Sequence, residues 1–170
     1  MRGLTEIQTA RIALRANPEK IVSALHSLAG ANDPKRFRKA WQLKYLSDSE
    51  GLGILVDDKD LYPREPIKFG HAIAEDLTTL FMYSKLGSDF PSDVFEGIDS
   101  DSNKEFYNLD LSFMERYDPR AYEHFRGRDL KAVYEGFARH EVLPYLEEDW
   151  VSLRRVNEAC LLYTSPSPRD

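Results

Sequence analysis

Apolar residues along this chain recur mainly at spacings of three and four, the period that lines one face of an α-helix. Ile7, Ala10 and Leu14 follow Thr5-Glu6-Ile7-Gln8, a segment of capping-box form. Asn17-Pro18 then supplies an N-cap with proline in the first helical position; Ile21, Leu25, Leu28 and Ala29 share a face, and Gly30 is a stop. Asp33-Pro34 repeats the start, and Phe37, Trp41 and Tyr45 make the next stripe. The three segments predict a helical unit with short connections. The two Asx-Pro segments look alike, but two copies do not make a solenoid, and both are explained as well-formed helix starts.

The pattern then breaks. Residues 47–53 are polar and contain glycine, 52–56 form a short apolar run, and 57–66 are acidic with two prolines. With 67–69 as a returning strand, this stretch predicts one small β-hairpin near residues 52–69. Helical spacing resumes from about residue 71 to 86, through Ile73, Leu77, Leu80, Phe81 and Ser84, and Gly87 ends it. Residues 88–103 are rich in small polar residues and read as a hinge or insertion. Phe106, Leu109, Phe113 and Tyr117 return to helical spacing, Asp118-Pro119 opens a short helix, and Leu130, Val133, Tyr134, Phe137 and Ala138 line another. Pro144 interrupts, and Leu146, Trp150 and Leu153 continue the core face. The expected class is all-α (mainly α): a single compact helical domain over residues 1–159 with that one small hairpin.

Composition narrows the class of function. Hydrophobic residues make up 42% and aromatic residues 12% of the 170, enough for a real core. The 23 basic and 29 acidic residues give a net charge of −6, which favours solubility and gives no strong signal for nucleic acid or an anionic membrane. No apolar run reaches bilayer length, and the N-terminus lacks an uninterrupted apolar signal core. The expectation is a cytoplasmic protein.

Residues 160–170, CLLYTSPSPRD, resemble the in-frame translation of a sequencing-library transposase adapter. The resemblance implies a non-native tail, a natural chain that continues past Ala159, and an irregular backbone packed on nothing. It also removes Cys160, the only cysteine, so that residues 1–159 offer no disulfide, thiolate metal site or cysteine nucleophile. The net charge is unchanged, because the tail carries one Arg and one Asp.

Candidate chemistry is sparse. Residues 99–110 resemble an EF-hand calcium loop: Asp99, Asp101 and Asn103 occupy the first, third and fifth positions, Glu105 the seventh, Phe106 the apolar eighth, and Asp110 closes it. The resemblance implies calcium or another divalent cation. Lys104 stands where glycine permits the sharp turn, at a cost of roughly 1–2 kcal/mol for a left-handed conformation, and Asp110 is one methylene shorter than the usual Glu. A solvated Asp/Ser/Asn loop is therefore preferred. Asp57, Asp58 and Asp60 read as a turn before Pro63. His71 and Glu75, four apart, could share an ion. No HExxH, ExxH, dinucleotide fingerprint, P-loop or nucleophile elbow occurs.

Lys35, Arg36, Arg38, Lys39 and Lys44 interleave with Phe37, Trp41 and Tyr45, with no acid between Asp33 and Asp48. The spacing predicts a buried Trp41 with Lys35, Arg38 and Lys39 exposed, as a solvated face or as a contact surface for a protein or other anionic partner. The functional expectation is a helical binding or accessory protein without its own catalytic site. The alternative is a metal-dependent enzyme that uses scattered His and carboxylate ligands.

Overall fold

The computed structural model describes residues 3–27, 33–69, 73–98, 106 and 108–164, with backbone alone at 26, 27, 73 and 161–164. Helix α1 (Glu6–Ala16) starts at a complete capping box: Thr5 Oγ1 accepts from Gln8 N while Gln8 Oε1 accepts from Thr5 N. Asn17 ends it, and α2 (Pro18–Ser27) begins at the next residue. Asp33 caps α3 (Pro34–Ser49) by accepting from Lys35 N at 2.8 Å. These three helices pack on one another as the spacing predicts. Helix α3 is the spine of the molecule: Phe37, Ala40, Trp41, Leu43, Tyr45 and Leu46 are all buried.

A single helical turn, α4 (Asp58–Leu61), lies against α3. The short strand β1 (Ile67–Lys68) forms where a strand was expected, but not in a hairpin. Residues 52–56 are irregular, and β1 pairs in parallel with β2 (Phe95–Glu96), Ile67 opposite Phe95. The cause lies between the strands. Helix α5 (Ile73–Leu86) carries the chain back across the core, and parallel strands need such a crossover.

The same unit recurs toward the C-terminus. Strand β3 (Arg116–Tyr117) pairs in parallel with β4 (Leu143–Pro144), with α6 (Gly127–Arg139) between them. The helical spacing read at Phe113 and Tyr117 yields instead a 3₁₀ turn at Ser112–Glu115 that runs into β3. The molecule is thus mainly α, with two small parallel strand pairs among the described residues. One cluster of buried residues joins α1, α2, α3 and α5 with side chains such as Phe90, Phe95, Phe106 and Phe113. A smaller one gathers Tyr117, Phe137 and Val142, with Leu4, Ile12 and Tyr122 packed against them.

The last helix, α7 (Glu147–Thr164), crosses residue 160 without a break, so the irregular backbone expected of the tail does not hold at 160–164. Cys160 is half-buried against the main core, and burial pushes its thiol above the ordinary range. Residues 160–164 contain no helix breaker, whereas Ser165-Pro166 disfavours helical backbone. Residues 165–170 lie outside the described set. No helix among the described residues is long and apolar enough to cross a membrane.

Candidate functional site

The N-terminal helices enclose a cleft. Ala10 and Ala13 from α1, Ile21, Ala24 and Leu25 from α2, and Leu43 from α3 form most of its apolar lining, with Leu4 beside them. Three of these side chains are single methyl groups, so helices that touch elsewhere leave space here. That space is about 460 Å³, inside the roughly 300–1,000 Å³ usual for small-molecule sites. One end is polar. Lys39 Nζ donates to Glu6 Oε2 at 3.0 Å and to Gln42 Oε1 at 3.1 Å.

Gln42 is the unusual member of this set. It is fully buried, yet its Nε2 donates to nothing. An unpaired buried donor costs about 1–3 kcal/mol. Gln8 Nε2 is buried and unpaired too, but the Gln8 carbonyl serves the capping box, which accounts for a glutamine at that position. Gln42 has one side-chain partner among the described residues. Its carbonyl only receives Lys39, a lysine that also has Glu6.

The basic helix departs from expectation. Trp41 is buried and Lys35 exposed, as the periodicity requires, but Arg38 is only 8% exposed. Its Nη1 donates to Glu75 Oε2 at 2.6 Å, and its Nη2 lies 3.6 Å from Asp76 Oδ1. Helix α5 packs on α3 with these two acids in its first turn, and they draw the guanidinium inward. Arg36 donates through Nε and Nη2 to Asp60, a buried carboxylate on α4. Lys44 pairs with Asp48 at 2.8 Å, and Lys39 is only partly exposed. The cations that read as a solvated face are largely matched by acids of this same chain.

The metal candidates are not assembled among the described residues. Asp99, Asp101, Asn103, Glu105 and His71 lie outside them. Glu75 is engaged by Arg38. Asp110 Oδ1 accepts from Ser112 N at 2.9 Å and its Oδ2 from Ser152 Oγ at 3.1 Å. The Ser112 hydrogen bonds hold this carboxyl below its usual range against the opposing effect of burial. No group of three or more His, Cys, Asp or Glu residues among those described is placed to hold a metal ion.

The main polar network has no counterpart among the motifs read from the sequence. Arg11 Nε donates to Glu50 at 2.7 Å and its Nη2 to Glu115 at 2.8 Å. Arg15 holds the other oxygen of Glu50 at 2.5 Å and also reaches Glu141. Lys85 and the Tyr45 hydroxyl complete the shell of Glu115. Burial pushes Glu115 up, but the hydrogen bonds from Lys85 and Arg11 outweigh it and leave the carboxyl below its ordinary value. Burial, with the Glu115 charge beside it, raises the Tyr45 hydroxyl strongly. The partners of this network are separated by up to 126 residues in sequence, so no local motif announces it. The cleft did leave a trace, in alanines at the inward positions 10, 13 and 24 of paired helices. Comparison of the chain with protein-family models, curated proteins and solved structures gives no match.

Proposed function

We propose that this chain is a helical binding protein and that the cleft between α1, α2 and α3 is its binding site. The observation that carries the reading is the alanine-lined hollow itself: an apolar space of about 460 Å³ with a few convergent polar groups at one end. This is the composition of ordinary small-molecule sites. The cleft is preferred to the basic helix as the contact site because Arg36, Arg38, Lys39 and Lys44 already have acidic partners. The reading includes a reducing, cytoplasmic setting, in line with a sequence that has no cysteine before residue 160.

The test uses a fluorescent apolar probe. Anilinonaphthalene sulfonate should brighten on the wild-type chain. With Ala13→Phe, which fills the hollow from α1, the response should be lost while far-ultraviolet circular dichroism stays the same. An equal response from a folded Ala13→Phe variant, or none from the wild type, would overturn the reading.

A further inference from the structure

Resting on that reading, we infer that the Glu6–Lys39 pair at the polar end of the cleft is a charge filter, and that the ligand it admits is uncharged: an apolar body with at most a hydroxyl-type tip. Both residues line the cleft. Their side chains are 54% and 25% exposed, so a ligand in the hollow can reach them. Lys39 is fixed at this place by a second bond, from Nζ to Gln42 Oε1 one helical turn along α3. The two opposite charges stand 3.0 Å apart, so at the scale of a head group they sum to zero. A carboxylate drawn to Lys39 is repelled by Glu6, and an ammonium drawn to Glu6 is repelled by Lys39. Either must break the pair or sit against a like charge, after giving up part of its own hydration. A hydroxyl meets neither penalty. It both donates and accepts, and Lys39 has a third N–H to give while Glu6 Oε1 carries no hydrogen bond among the described residues. The threonine hydroxyls at this end give their protons inside the chain, Thr5 to Met114 O and Thr9 to Thr5 O. They add no donor that would favour an anionic head. The rest of the lining, Ala10, Ala13, Ile21 and Ala24 among it, carries no charge.

Octanol, octanoate and octylammonium share one tail and carry a neutral, a negative and a positive head at neutral pH. Isothermal titration calorimetry should place octanol first on the wild type. That order alone would suit any apolar cleft, so the variants carry the test. Glu6→Gln leaves Lys39 uncompensated and should tighten octanoate relative to octanol by about threefold, within the worth of an exposed ion pair. Lys39→Gln leaves Glu6 uncompensated and should tighten octylammonium by a similar factor, and not octanoate. Octanol itself should stay within about twofold throughout. Lys131→Gln changes the net charge equally on α6, where Lys131 pairs with Glu135 outside the cleft, and should shift none of the ratios. The filter weakens a sulfonated dye by no more than such a factor, so the fluorescent probe still enters and should bind more tightly to Glu6→Gln. No binding of any octyl probe, a charged head that outbinds octanol on the wild type, or ratios that ignore both cleft variants would overturn the filter. So would an equal shift from Lys131→Gln. In each case an intact Ala13→Phe contrast with the fluorescent probe leaves the cleft standing. Loss of that contrast as well removes the cleft itself.

Discussion

Trp41 and Arg38 are three residues apart on α3, and the fold treats them in ways that their chemical types do not announce. Trp41 sits edge-on to Tyr62 with ring centroids 6.1 Å apart and tilted on Phe90 at 5.8 Å, and its indole Nε1 donates to Leu61 O at 2.9 Å. Trp41→Ala should cost about 3–5 kcal/mol in urea-induced unfolding, the range for a large buried aromatic. Trp41→Phe should recover most of that and leave the Leu61 carbonyl unpaired. Arg38→Ala should cost about 2 kcal/mol or more, because it removes a buried guanidinium that donates to Glu75 and lies beside the buried Asp76. Lys39→Ala should stay within about 1 kcal/mol, since its pair with Glu6 is exposed. Similar losses for Arg38→Ala and Lys39→Ala would contradict the burial assigned to Arg38. The Trp41 stripe was legible because an aromatic repeated every fourth residue has one reading. Arg38 was not, because its burial depends on acids at 75 and 76 whose position on α5 no local pattern encodes.

Among the elements, the well-capped ones were the legible ones. Thr5 with Gln8, and Asp33 with Pro34, mark helix starts by hydrogen bonds within four residues, so the sequence signal and the structure describe the same local event. Thr5 does more than cap. Its hydroxyl donates to Met114 O at 2.6 Å and ties α1 to the 3₁₀ turn before β3. Thr5→Ala should therefore exceed an ordinary capping loss of about 1 kcal/mol and approach 2 kcal/mol in chemical unfolding; Thr5→Ser should restore most of it. The strands were misjudged for the opposite reason. Each is two residues long, and its partner lies beyond a helix. An apolar run of that length says that the chain is extended but not what it pairs with. The interval from Phe113 to Tyr117 keeps helical spacing only because a 3₁₀ turn and a strand happen to bury residues four apart.

At the scale of the molecule, the network around Glu50 and Glu115 joins α1, the C-terminal end of α3, the end of α5 and the 3₁₀ turn, and it sets how stability depends on pH. The folded Glu115 carboxyl titrates below its unfolded value of about 4.3. Its contribution is therefore present above that value and lost as pH falls through the lower, folded one. Asp110 behaves likewise. On the alkaline side the direction reverses. Tyr45 is raised strongly and Tyr145 to about 12, in both cases first by burial. What their neutral hydroxyls contribute is complete below the unfolded value of about 10 and is lost as pH rises from there toward the folded values. The thermal midpoint should then form a plateau between about pH 5 and 10 with a fall on either side. Two variants separate the limbs. Glu115→Gln should lower the plateau, since Arg11 and Lys85 lose their charged partner, and should make the acid fall shallower. Tyr45→Phe has no hydroxyl to ionise and should make the alkaline fall shallower, leaving the acid limb nearly as it was. An acid limb unchanged by Glu115→Gln would mean that the network does not control acid stability, and that the fall belongs to carboxylates elsewhere in the chain.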